Sequence, residues 1–288
     1  MSIYHTDVDP RIVKRLMQEF GSVKSLAVTP ENYKLVQHTW QLNDDHELER
    51  TLSEPVFGFD RRRILDDFLL VNRDGYYHHL TKFVVEAYQR YLLDKSQRFG
   101  FDHPFAYFHV DQHMDFYHQY QHANFVGKIF GQLNIPVYIL ARALNPNELT
   151  GCPPPPSEFS LLKPVSGDTP DAFQFVGRTK AVYTEKIAEE NLYVSTDLDA
   201  FPPDLFLTNW KEGRKDFDIG TYKRIVEQIT RGHVVRGADF TGLSLMANLS
   251  PKKLGKETAE RVKGWNTTSL DNLVDLIKFM QGVMDRKV

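Results

Sequence analysis

The sequence has little cysteine and no long apolar run, and these absences exclude several classes of protein. Its only cysteine is Cys152, so the chain can form neither an intramolecular disulfide nor a thiolate metal cluster. That cysteine lies in a Pro-rich loop without a neighbouring histidine, which argues against a catalytic thiolate. The sequence has neither the ~20 apolar residues of a membrane span nor the apolar core of a signal peptide. We therefore expect a cytoplasmic protein with no membrane partner.

A basic excess is also missing. Lysine and arginine together number 35 against 38 aspartates and glutamates, and the formal net charge is −3. A surface that follows a nucleic-acid backbone normally carries a clear excess of positive charge, so we expect no nucleic-acid partner. With 288 residues, of which 41% are hydrophobic, the chain is long enough to bury a sizeable core.

Short apolar segments alternate with amphipathic ones along the chain. The strand-like segments are residues 68–71, 105–110, 136–141, 191–195 and 233–238. The helix-like segments are residues 10–20, 80–92, 125–133, 222–229 and a last one that begins near Ser269. Such alternation predicts an α/β fold in three layers, α/β/α, with a central and mainly parallel sheet. We expect one domain over residues 1–288.

One irregular tract interrupts this pattern. Residues 145–178 are rich in proline and glycine and include the run Pro153 to Pro156. A linker between two domains is one interpretation. We favour a long loop over one end of a single sheet, because strands of similar character lie on both sides of it. Long loops in compact domains are often functional, so the tract is a candidate substrate lid.

Two acidic motifs follow directly after predicted strands. The first strand leads into Asp111, His113 and Asp115, and the second leads into Asp197 and Asp199. Ionisable residues at every second position place negative charge on one face of the chain. Unpaired buried carboxylates are costly, so cations or arginines have to lie among them. Capping aspartates in a loop would explain one motif alone, but two such motifs favour divalent metal ions.

The types of ligand also indicate the metal. Four carboxylates with one or two imidazoles and no thiolate favour Mn²⁺ over a structural Zn²⁺. Carboxylates can bridge, and six protein ligands suffice for two ions. The carboxyl ends of parallel strands are also where open α/β sheets place their sites.

The two motifs resemble those of the ureohydrolase family of arginase and agmatinase. That family carries Gly-Gly-Asp-His-Ser, then Asp-x-His-x-Asp, then Ser-x-Asp-x-Asp, and the last two match residues 111–115 and 195–199. The likeness extends from about residue 67 to 245 and is greatest to the divergent branch of peptide arginases. It implies an arginase-like fold, two Mn²⁺ ions per subunit, and hydrolysis of a guanidino group.

The resemblance also assigns further residues. Residues 75–81 align with the first motif, which is degraded here, and the alignment makes His78, or His79 after a slip of one residue, a metal ligand. Arginases carry a proton-shuttling histidine after the second motif, and here His122 is the first candidate and His118 the second. The alternative interpretation of His78 and His79 is that they cap or pack at a helix start. The alternative for His122 and His118 is that they are surface histidines.

The resemblance departs from the family pattern near the end of the chain. Arginases grip the guanidinium with a glutamate three residues beyond an aspartate. Here Asp239 matches the aspartate, but Gly242 stands where the glutamate belongs. A guanidinium still requires a carboxylate partner, so Asp239 becomes the candidate substrate-binding residue, with a carboxylate from elsewhere in the chain as the alternative.

The resemblance thus predicts a hydrolase that converts peptidyl arginine to an ornithine side chain and releases urea. Its partners would be an arginine-containing peptide or a small guanidino substrate, and a homo-oligomer is left open. Three alternatives remain at this point. One is an arginase- or agmatinase-type enzyme for small guanidines, one is a deacetylase-like amide hydrolase with a single metal, and one is a metal-binding protein without activity.

Overall fold

A computed structural model shows nine strands in one sheet. It describes residues 2–6, 8–26, 68–72, 78, 81–82, 84–86, 88–89, 105–112, 115, 125–133, 135–142, 159–162, 173–178, 190–208, 217–246 and 256–286. The strands are β1 (Ser2–Thr6), β2 (Lys24–Leu26), β3 (Phe68–Val71), β4 (Phe105–Asp111), β5 (Val137–Arg142), β6 (Phe159–Leu162), β7 (Phe173–Arg178), β8 (Asn191–Asp197) and β9 (Val234–Thr241). The helices are α1 (Pro10–Phe20), α2 (Phe125–Leu133), α3 (Ile219–Thr230) and α4 (Lys256–Met284), and described residues between 81 and 89 are also helical.

The sheet is mainly parallel, as predicted. Its order is β2-β1-β3-β9-β8-β4-β5-β7-β6, and the first seven strands in this order are parallel to their neighbours. The last two strands pair antiparallel, β7 with β5 and β6 with β7. β6 and β7 lie inside residues 145–178, so the tract predicted to be a loop contains two strands. The proline and glycine content of this tract favoured a loop in the prediction, but β6 and β7 complete one edge of the sheet.

Two apolar clusters cover opposite faces of the sheet. On one face, alternate strand residues such as Leu69, Phe108 and Val194 pack with α1, α3 and α4. On the other face, Leu70, Tyr107 and other strand residues pack with α2 and the helical residues near Val85. The fold therefore has the three layers, helix, sheet and helix, that the sequence predicted. None of the helices in the described part of the chain is long and apolar enough to cross a membrane.

Helix α1 begins and ends where its sequence indicates. The Asp9 carboxylate accepts a hydrogen bond from the Arg11 amide at 2.8 Å, and Pro10 occupies the first turn. Gly21, with φ of 73°, ends the helix in a conformation that a side chain would disfavour. Ile12 and Leu16 are buried on the face that meets the core.

The sequence prediction was wrong about where the last helix begins, and it missed two strands. The last helix begins at Lys256 and not near Ser269. The prediction missed its first three turns because they bury little beyond Val262 and Asn266. With so few apolar positions, this part of the helix has no clear stripe in the sequence. Strands β1 and β2 were not predicted, since each is short and of mixed polarity and takes its place only through pairing in the sheet.

Candidate metal centre

The two acidic motifs meet at one edge of the sheet. Strands β4 and β8 are parallel neighbours with Val110 beside Thr196, so Asp111 and Asp197 end these strands side by side. A short 3₁₀ turn, Leu198–Ala200, follows β8 and carries Asp199. The Asp199 amide donates to Asp197 Oδ1 at 3.0 Å, which fixes the two carboxylates relative to each other. Parallel pairing thus brings together motifs that lie more than eighty residues apart.

Asp115 joins this edge through an unusual backbone conformation. Its φ is 49°, a left-handed value that is uncommon for residues other than glycine. Its carbonyl accepts a hydrogen bond from the Val126 amide at 3.2 Å, near the start of α2. Its carboxylate lies 3.5 Å from His78 Nδ1. Backbone strain of this kind is found where a side chain has to be held at a functional site.

The carboxylates form two overlapping groups that fit metal ions. As whole residues, Asp111, Asp115, Asp197 and Asp199 are each at most 9% exposed. One group of potential ligands is His78, His109, Asp111 and Asp115, and the other is Asp111, Asp197 and Asp199. Within each group the ligand atoms lie within 4.8 Å of one another, and Asp111 belongs to both. Buried negative charge at this density requires cations, and a shared carboxylate suits two neighbouring ions.

The structure places His78 of the degraded motif among the carboxylates, whereas the alternative His79 lies outside the described residues. Its Nδ1 is 3.2 Å from Asp197 Oδ2 and 3.5 Å from Asp111 Oδ2. Its Nε2 lies 2.8 Å from the Ser195 hydroxyl. Burial alone would lower the pKa of His78, but hydrogen bonding and charge from Asp111 and Asp197 raise it well above its ordinary value. The surroundings of His78 therefore favour a positive charge at this position.

Asp239 lies beneath this site and is fully buried. Its Oδ1 accepts hydrogen bonds from the hydroxyls of Ser195 at 2.9 Å and Thr241 at 3.3 Å. Its Oδ2 accepts from the Thr81 hydroxyl at 2.9 Å. Burial raises the pKa of Asp239, and the charge of His78 and these hydrogen bonds offset part of that effect. These contacts support a role in holding Ser195 and His78, and contact between Asp239 and a substrate stays a prediction.

The hydrogen-bonded network extends from Asp239 across the sheet to β1. Asn72 Nδ2 donates to the Thr241 hydroxyl at 3.0 Å, and the Thr6 hydroxyl donates to Asn72 Oδ1 at 3.3 Å. All three residues are buried. A continuous buried network of this kind holds its members in one arrangement. It links β1, β3 and β9 to the site.

His109 was not among the residues predicted from the sequence. It precedes Asp111 by two residues on β4, so both side chains face the same side of the sheet. Its Nε2 lies 3.1 Å from Asp111 Oδ2, and its Nδ1 lies 3.1 Å from the Tyr107 hydroxyl. Burial lowers the pKa of His109, and Asp111 raises it only in part. The alternation of His109, Asp111 and His113 is a sequence signal for it, but this signal does not distinguish a ligand from a histidine of the core.

Gly242 occupies the position where the family pattern has glutamate, and the structure leaves no space for a side chain there. Its φ is 102°, and a Cβ on this residue would lie 2.5 Å from Asp197 Oδ1. The peptide backbone therefore passes directly beside a predicted metal ligand. A carboxylate that grips a guanidinium cannot come from this position in the described conformation.

Several predicted residues lie outside the described part of the chain. They are the metal-ligand candidates His113 and His79, the proton-shuttle candidates His122 and His118, and Cys152. Their roles stay predictions. The described residues alone bring together five of the six predicted metal ligands, which are His78, Asp111, Asp115, Asp197 and Asp199.

Solved structures with the same fold are known, although no protein-family model and no curated protein matches the sequence. Arginase from Medicago truncatula is 15% identical, with a TM-score of 0.50 over 94% of this chain and 85% of that one. Arginase from Bacillus caldovelox is 12% identical, with a TM-score of 0.48 over 100% and 98% of the two chains. Proclavaminate amidino hydrolase from Streptomyces clavuligerus is 13% identical, with a TM-score of 0.46 over 94% and 90%.

The Medicago truncatula comparison shows that the chain has the arginase fold. Structural similarity at such low sequence identity establishes the architecture alone, and activity has to be argued from the site.

Proposed function

We propose that this protein is a binuclear manganese hydrolase that converts peptidyl arginine to ornithine and releases urea. The observation that carries the proposal is the group of four buried aspartates at the carboxyl ends of β4 and β8, with His78 among them. The arginase fold and the names of its solved neighbours, two arginases and an amidinohydrolase, support the same reaction class.

The residues at the sheet edge fit a pair of divalent ions. His78, Asp111, Asp115 and Asp197 would hold one ion, and Asp111, Asp197 and Asp199 with His113 would hold the other. Their oxygen-rich composition suits Mn²⁺. When bound, such a pair supplies a water-derived nucleophile near neutral pH.

The protein side chains would then position the substrate and move protons. His122, or else His118, would protonate the amine that leaves the guanidinium carbon. Asp115 would stabilise positive charge on the reacting group, and Ser195 with Asp239 would orient His78. The network from Thr6 to Asp239 would keep this arrangement rigid.

The missing side chain at Gly242 supports a peptide as the substrate. Since this position provides no carboxylate, more of the binding free energy has to come from contacts distant from the guanidinium. A peptide offers such contacts, whereas free arginine or agmatine offers few. We expect the reaction in the cytoplasm, and we leave the oligomeric state open.

Mass spectrometry of an arginine-containing peptide, incubated with the Mn²⁺-loaded protein, tests the proposal. We expect the peptide to lose an amidine unit while urea is released, with slower turnover of free arginine and agmatine. Alanine at Asp115 or Asp199 should abolish metal binding and activity together. Full activity in either variant, or hydrolysis of an acetyl-lysine peptide in place of the guanidine, would contradict it.

A further inference from the structure

Two buried histidine rings face the same carboxylates. His78 Nδ1 lies 3.5 Å from both Asp111 Oδ2 and Asp115 Oδ2. His109 Nε2 lies 3.1 Å from Asp111 Oδ2 and 3.9 Å from Asp115 Oδ2. The ring centroids are 5.0 Å apart. We propose that His109 is a direct ligand of the ion held by His78, which gives that ion a second imidazole.

This inference rests on the metal site proposed above but goes beyond the ligand pattern of the two acidic motifs. Ligand nitrogens and oxygens bind at roughly 2.0–2.2 Å, so neighbouring ligands on one ion lie about 3 Å apart. The distances from Asp111 Oδ2 to His109 Nε2 and to His78 Nδ1, 3.1 and 3.5 Å, are close to that spacing. The four ligand atoms of His78, His109, Asp111 and Asp115 can therefore surround one point.

The outer nitrogens of the two rings have matching partners. His78 Nε2 meets the Ser195 hydroxyl at 2.8 Å, and His109 Nδ1 meets the Tyr107 hydroxyl at 3.1 Å. Metal-binding histidines use the outer ring N–H in this way, which leaves the inner nitrogen to bind the ion. Both rings also pack against Phe125, with centroid distances of 4.7 and 5.6 Å. Their orientations are thus fixed from two sides.

The inner nitrogens of both rings are buried and have no hydrogen-bond partner among the described residues. If each outer nitrogen carries the proton, each inner nitrogen presents a lone pair to carboxylate oxygens. Lone pairs facing negative oxygens in a dry site repel unless a proton or a metal ion lies between them, and a proton on one ring nitrogen serves only that ring. A metal ion at this point satisfies both histidines and the carboxylates at once.

The competing arrangement makes His109 a positioning residue. In it the Tyr107 hydroxyl donates to Nδ1, and Nε2–H donates to Asp111 from outside the coordination sphere. The two arrangements differ in the number of nitrogens bound to the ion. They also differ in metal preference, because a second imidazole favours later first-row ions such as Co²⁺ over Mn²⁺.

Pulsed EPR of the full-length protein with one equivalent of Mn²⁺ tests the proposal by counting coordinated imidazole nitrogens. We expect two in the wild type and one in His109→Phe, which keeps a ring against Phe125, with Mn²⁺ affinity lower by at least about ten-fold. His109→Gln provides a second variant if the first folds poorly. His233→Gln, at a turn distant from the site, is the matched control and should change neither value.

A single coordinated imidazole in the wild type, or a nitrogen count unchanged by His109→Gln while affinity falls, would show that His109 is a positioning residue and overturn the proposal. Two coordinated imidazoles without turnover of any guanidine would support the ligand and contradict the proposed reaction. The absence of Mn²⁺ binding by the wild type would contradict both.

Discussion

Asp239 reaches the proposed metal site only through other side chains. Ser195 donates to it and also meets His78 Nε2, so Asp239 determines how Ser195 and His78 are oriented. Thr81 and Thr241 donate to its remaining lone pairs. Partners of this kind commonly affect metal affinity even though they do not touch the ion.

Replacing Asp239 with asparagine should therefore weaken Mn²⁺ binding by roughly 10- to 100-fold. The amide group retains one acceptor oxygen, but its NH₂ replaces an oxygen that accepts either from Thr81 or from Ser195 and Thr241. Isothermal titration with Mn²⁺ would measure the effect, with the exposed Asp204→Asn as a control for the lost charge. If KM for the peptide rises while Mn²⁺ affinity stays unchanged, Asp239 contacts the substrate and the positioning role is wrong.

Gly242 permits a second prediction at the scale of one residue, because Gly232 is a matched control. Both glycines have positive φ, 102° and 84°, but only at Gly242 would a Cβ contact a predicted ligand. Alanine at either position should cost about 1–2 kcal/mol of stability through backbone strain. Gly242→Ala should in addition displace Asp197 and reduce Mn²⁺ affinity more than ten-fold.

Denaturant unfolding and a metal titration on both variants would separate the two effects. Equal Mn²⁺ affinity in Gly242→Ala and Gly232→Ala would show that the close approach to Asp197 has no functional consequence.

At the scale of elements, α3 depends on its N-cap residue, Asp218. The exposed Asp218 carboxylate accepts a hydrogen bond from the Thr221 amide at 2.6 Å. That hydrogen bond lowers the pKa of Asp218 below its ordinary value of 3.8. The charged carboxylate is therefore favoured in the folded state, and the cap stabilises the protein above about pH 4. Its contribution is lost as the pH falls through the lowered pKa of the folded state.

Asp218→Ala should lower the free energy of unfolding by about 1 kcal/mol at pH 7, and Asp218→Asn by much less because asparagine also caps. Between pH 7 and about pH 3 the difference between wild type and Asp218→Ala should shrink. Urea unfolding at several pH values measures this difference. A difference that stays constant or grows on acidification would contradict the assigned role of the charged carboxylate.

At the scale of the whole molecule, the buried aspartates make stability depend on metal. Four carboxylates in one small volume destabilise the metal-free fold, because folding brings like charges together away from water. An ion that binds only the folded state adds stability, by about 2.7 kcal/mol at a hundred times its Kd.

We expect thermal unfolding of the wild type to shift upward with Mn²⁺ and downward with a chelator. In Asp197→Asn the metal-free protein should be at least as stable as the metal-free wild type, since one buried charge is gone. The asparagine oxygen can still accept the Asp199 amide. If affinity drops a hundred-fold, the Mn²⁺-dependent gain should fall to about 0.4 kcal/mol at the same metal concentration. An undiminished gain would remove Asp197 from the ligand set.

Much of the fold was predictable because apolar periodicity reports burial. The strands from Phe68, Asn191 and Val234 and the residues after Phe105 in β4 are fully or almost fully buried, so their sequences are largely apolar. Elements that bury little gave no such signal. β2 has three residues, and the first half of α4 is mainly exposed.

The candidate site was likewise predictable from the sequence only in part. Asp111, Asp115, Asp197 and Asp199 were predictable, because carboxylates at period two after an apolar strand have no good structural explanation. His109 was not, because a single histidine inside a strand is as compatible with the core as with a ligand. Its role depends on Tyr107, His78 and Phe125, which come from three different parts of the chain.

The sequence by itself determined the α/β class, the two acidic motifs and the need for cations among them. These follow from local patterns, because the apolar or charged character of each residue can be read directly from the sequence. Only the tertiary structure decided that β4 and β8 are neighbours, that His78 and His109 face one set of carboxylates, and that the backbone at Gly242 excludes a side chain. Each of these depends on distances between segments far apart in sequence. Sheet order and register determine such distances, and local sequence patterns do not contain them.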